Sequence, residues 1–89
     1  MLRITETSKD EKTVTLGLDG KVVGAWVSDL ERQCLSYKDE KNKTIVLDFS
    51  GVTFIDNKGV RMLEKIKDER VKIVSCSLFI EVLLRDLKE

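Results

Sequence analysis

The chain has 89 residues, enough for one small domain over residues 1–89, with 42% hydrophobic and 36% charged side chains, 16 of them basic and 16 acidic. The formal net charge of zero provides no global field to draw it to nucleic acid or an anionic membrane. There is no histidine, and the two cysteines, Cys34 and Cys76, stand far apart without a CxxC, which argues against a zinc site and leaves no base tuned near neutral pH.

Leu2 and Ile4 alternate with Arg3 and Thr5, which predicts a short edge strand, and SKDEK (residues 8–12) reads as a turn. Val14, Leu16 and Leu18 alternate with Thr13, Thr15 and Gly17, as in a strand covered on one face. The two strands are expected to form a hairpin. After Asp19-Gly20 the period changes. Val23, Val27, Leu30, Cys34 and Tyr37 share one helical stripe, with a start between Gly24 and Ser28. Ser28 and Glu31 have the spacing of a capping box, and residues 38–43 read as a solvated loop.

Thr44–Phe49 carries Ile45, Val46 and Leu47 consecutively, which predicts a strand covered on both faces. A Gly51-containing loop follows. Val60, Leu63 and Ile66 then form the inward stripe of a second helix ending near Asp68-Glu69. VKIVSC (residues 71–76) predicts another interior strand, and Phe79, Val82, Leu83 and Leu87 lie at helical spacing in Leu78–Leu87. The order β-β-α-β-α-β-α describes a single α/β domain with a mixed, mostly parallel sheet and right-handed crossovers.

The N-terminal MLRITETSKDEK holds no apolar run for a signal peptide. Leu78–Leu87, interrupted by Glu81, Arg85 and Asp86, falls far short of the ~20 residues of a membrane span. A cytoplasmic protein with two reduced, packed thiols is expected, with no membrane partner and no cofactor or metal.

Neither a GxxxxGK[ST] loop nor a GxGxxG is present. Asp48 and Asp56 are the carboxylates nearest the end of an interior strand. They open one catalytic reading, a small Mg²⁺-dependent phosphoryl-transfer or nucleotide-handling protein. The other reading has Asp48 end the strand while Asp56 or Asn57 caps the second helix. Trp26 falls just outside the first helical stripe, as a core residue or a contact anchor. Lys58, Arg61 and Lys65 form a basic ridge on the second helix, either a solvated face or a complement to an acidic partner.

LDFSGVTFIDNKGVRML (residues 47–63) resembles the signature of STAS domains, the anti-sigma-factor-antagonist family, roughly LDxSxVxxIDSxG followed by a helix. The segment LGLDGKVVGAWVSDLE resembles the family's L-x-G-x-L/V region before its first helix, and the order of elements agrees. The resemblance implies a bacterial, non-catalytic signalling module in transcription regulation. Its partner would be an anti-sigma factor or kinase, met through Asp56, Asn57, Lys58, Gly59, Val60 and Arg61. In the antagonist subgroup a serine after the aspartate is phosphorylated to switch that contact off. Here Asn57 occupies that position and Lys58 follows, and an amide accepts no phosphoryl group. Ser50 and Thr53 are the nearby hydroxyls. The family commonly adds a further strand and helix after the segment equivalent to Leu78–Leu87, so a less covered edge or helix face, and with it a homodimer or partner contact, is expected.

Overall fold

A computed structural model describes residues 1–40, 42–67 and 70–86. The elements are β1 (Leu2–Lys9), β2 (Thr13–Val22), α1 (Ala25–Leu35), β3 (Thr44–Ile55), α2 (Asn57–Ile66), β4 (Val71–Val74) and α3 (Leu78–Asp86). They build one four-stranded sheet in the order β1-β2-β3-β4. β1 pairs antiparallel with β2, while β2–β3 and β3–β4 are parallel. The hairpin turn is set by Asp10, whose Oδ1 accepts from the amides of Lys12 (2.8 Å) and Thr13 (2.7 Å). At the same end, Lys43 Nζ donates to the carbonyls of Asp10 and Glu11 and ties the start of β3 to that turn.

The helices share one face of the sheet. Val14, Leu16, Leu18 and Val22 of β2 and Ile45, Leu47, Phe49, Val52 and Ile55 of β3 are buried beneath Val27, Leu30 and Cys34 of α1 and Val60, Met62, Leu63 and Ile66 of α2. The opposite face carries Thr5, Thr15, Val46, Asp48, Lys72 and Val74, which are half-buried or exposed. Ile45-Val46-Leu47 therefore does not mark a strand covered on both sides. Val46 is half-buried, whereas its two neighbours are fully buried.

Several boundaries differ from expectation for local reasons. β2 runs through Asp19-Gly20 to Val22, and the chain breaks instead at Gly24, whose φ of 56° suits a residue without Cβ. Gly24 is the N-cap of α1, so Ser28 and Glu31 form no capping box. The helical path extends through a π turn, Ser36–Glu40, so residues 38–40, expected in a loop, are helical. In it the Tyr37 hydroxyl donates to the Glu6 carboxylate of β1 (2.7 Å).

β3 extends six residues beyond Phe49 because it bulges twice against β2. Each bulge inserts one unpaired residue, so the buried positions step from 45, 47 and 49 to 52 and 55. A Cβ on Gly51 would stand 2.1 Å from Asp19 Oδ1 and 2.7 Å from the Leu18 carbonyl, so the first bulge admits only glycine without a shift. β4 is an edge strand and ends at Val74. In α3 the inward residues are Ile80, Leu83 and Leu84; Phe79 and Val82, which share helical spacing with Leu83, are exposed. Asp68-Glu69 and Leu87 lie outside the described residues.

Candidate functional site

Because β2, β3 and β4 run parallel, their C-terminal ends and the starts of α1, α2 and α3 share one end of the molecule. The motif lies there. Asp56 closes β3 in extended conformation (φ −93°, ψ 177°) and caps α2. Its Oδ1 accepts from the Gly59 amide at 2.8 Å, and its Oδ2 accepts from the Gly24 amide at 3.1 Å. One carboxylate thus satisfies unpaired N–H groups at the starts of two helices. The Asp56 amide donates in turn to the Val22 carbonyl (3.2 Å). Asp56 is therefore a brace at the base of the motif, with both oxygens occupied.

The six residues expected to meet a partner separate by exposure. Asn57, Lys58 and Arg61 are exposed, Asp56 is half-buried, and Gly59 and Val60 are buried. Gly59 brings α2 against the sheet: a Cβ there would lie 2.7 Å from Ile55 Cγ1 and 2.9 Å from the Val22 carbonyl. Val60 packs in the core at 1% exposure. These two shape the surface from below. Among the described residues no acid pairs with Lys58 or Arg61. Lys65 of the expected ridge differs, since its Nζ reaches Glu31 Oε2 of α1 at 2.6 Å.

Asp48 and Asp56 do not converge. Seven strand residues separate them, which places the carboxylates on the order of 20 Å apart. Asp48 sits on the open face with Oδ1 accepting from the Ser50 amide (2.9 Å), and hydrogen bonds from Ser50 hold its carboxyl below the usual range. A Mg²⁺ ion with ligands at about 2.0–2.1 Å cannot bridge the pair, so the phosphoryl-transfer reading loses its site. Among the described residues no group of three or more His, Cys, Asp or Glu side chains could hold a metal.

Ser50 and Thr53 are exposed, and Thr53 Oγ1 donates to the Gly20 carbonyl (3.3 Å). Cys34 and Cys76 are free thiols; burial pushes Cys34 up to about 12 and Cys76 upward. Trp26 is neither core nor free: it is 37% exposed at the start of α1 and lines a shallow groove with Leu2, Ile4 and Arg32.

An exposed aromatic pair went unseen in the sequence. Phe54 of β3 and Phe79 of α3 stand with ring centroids 6.4 Å apart, tilted by 35°. The available signal was the composition of α3: LFIEVLL is apolar around most of its circumference, more than one buried face can absorb.

Comparisons with known proteins agree with this geometry. Among solved structures, the anti-sigma factor antagonist SpoIIAA in its unphosphorylated form superposes with a TM-score of 0.67, covering 93% of this chain and 82% of that one. Sequence identity is 19%, so the likeness establishes the fold. Comparison with curated protein sequences returns no match. The family model described as STAS domain matches residues 5–82, from β1 into α3 and across the whole braced motif; this chain belongs to the STAS domain family.

Proposed function

We propose that this STAS domain is a non-catalytic regulatory module that docks on a cytoplasmic signalling partner, an anti-sigma factor or its kinase, through Asn57, Lys58 and Arg61. The carrying observation is the exposure of these three side chains at the capped start of α2, with both cations unpaired among the described residues. An exposed amide followed along α2 by two exposed cations suits an acidic surface. The similarity to SpoIIAA, itself an anti-sigma factor antagonist, supports the class of partner.

Asn57 offers no hydroxyl to phosphorylate, so a phosphate at this position is not what switches the contact off. The test is a pull-down from the native host with wild type, Lys58→Glu and Arg61→Glu. A specific regulatory protein retained by wild type and lost from both variants supports the reading. Equal retention by all three sinks it.

A further inference from the structure

The end of the molecule that presents α2 also carries an apolar patch with different electrostatics. Val22 and Ile55 are buried register partners, so the preceding pair, Lys21 and Phe54, points to the open face of the sheet. α3 starts at this end and places Phe79 beside Phe54. Leu78, Phe79, Phe54 and Val82 are 80%, 54%, 37% and 45% exposed. Together they show on the order of 400 Å² of apolar surface, within the range of about 300–600 Å² for the largest patch on a soluble monomer, which is often functional.

The surrounding charge decides what fits. Lys21 flanks Phe54, and Glu81 and Arg85 share α3 with Val82. A rim of both signs can be paired against itself by a two-fold axis, whereas the exposed start of α2 offers Lys58 and Arg61 and repels its own copy. A stable interface takes ~800 Å² per partner, so the apolar centre would supply about half and the charged rim the rest.

We infer that the Phe54–Phe79 patch is an isologous interface for a second copy of this chain, with the Phe79 of each copy seated beside the Phe54–Leu78 surface of the other. The dimer and the docking of another protein through Asn57, Lys58 and Arg61 are separate contacts, and the existence of the first does not depend on the second.

The test is sedimentation velocity of the full chain from micromolar to near-millimolar concentration, on wild type, Phe79→Asp, Leu78→Asp and Lys58→Glu. Leu78 is the most exposed member, so its variant keeps the test valid if Phe79→Asp perturbs folding, which circular dichroism reports. Expected are a wild-type mass of two chains, a dimer dissociation constant raised at least tenfold by Leu78→Asp, and no change with Lys58→Glu. A wild type monomeric throughout, or a dimer indifferent to both aspartates, overturns the proposal. A dimer lost only with Lys58→Glu would instead place self-association at the start of α2 and also overturns it. Pull-down results with Lys58→Glu bear on the partner alone, so the two readings fail separately.

Discussion

The Asp56 carboxylate reaches back to the amide of Gly24, joining the start of α2 to the start of α1 across 32 residues of sequence. The same group caps its own helix through Gly59. Removing it leaves two N–H groups without their acceptor. Asp56→Ala is expected to destabilise the domain by about 2 kcal/mol, roughly 1 for the cap and 1 for the second bond. Asp56→Asn should fall between, because its amide offers one acceptor oxygen for two donors. Urea unfolding monitored at Trp26 measures both. An alanine cost near zero would show that solvent replaces the brace.

Gly59 gives a prediction whose sign opposes helix propensity. Alanine is favoured over glycine in a helix by ~1 kcal/mol. At this position, however, its methyl group would press on the Val22 carbonyl at 2.9 Å and on Ile55 Cγ1 at 2.7 Å. The backbone oxygen cannot swing aside as a side chain can. Gly59→Ala should therefore destabilise by about 1–3 kcal/mol, the usual range for overpacking. Stabilisation in the same denaturant experiment would mean that α2 lifts from the sheet at little cost.

The motif was legible because its residues act locally. An acid three residues before a glycine, ahead of an apolar stripe, reads as a capped helix, and Asp56 and Gly59 stand in that relation. The reach of Asp56 to Gly24 was hidden, since nothing in local spacing announces a partner 32 residues away. β3 was cut short for a different reason: its bulges replace a period of two by a period of three, which obscures a strand. In α3 the inward face could not be chosen, because Leu78, Phe79, Ile80, Val82, Leu83 and Leu84 offer apolar residues in nearly every direction. Only packing against β3 selects Ile80.

Cys34 supplies a dependence on alkaline pH. Burial, reinforced by the Glu31 charge, raises its thiol from 9.0 to about 12. The unfolded chain therefore ionises first, and binds fewer protons than the folded one between those values. Stability contributed by the neutral thiol is complete below pH 9 and is lost as pH rises toward 12, at roughly 1 kcal/mol per pH unit. Cys34→Ala should flatten this slope in thermal melts taken from pH 8 to 10. A slope unchanged by the substitution would assign it to other groups. The same burial predicts that a small alkylating reagent labels half-buried Cys76 well before Cys34 in the folded protein.

Asn57→Asp separates binding from stability. Position 57 opens α2, where the aligned peptide dipoles favour negative charge by about 0.3–1 kcal/mol. The variant should thus unfold at slightly higher denaturant than wild type. At the proposed docking surface the added carboxylate sits beside Lys58 and within a turn of Arg61, neutralising the field that suits an acidic partner. Partner affinity is expected to fall by at least tenfold while the domain becomes no less stable. Asn57→Ser, which adds no charge, should bind like wild type until phosphorylated and then behave as the aspartate does. Calorimetric titration of the captured partner with the three proteins decides the matter: equal affinity for Asn57→Asp and wild type would remove position 57 from the interface.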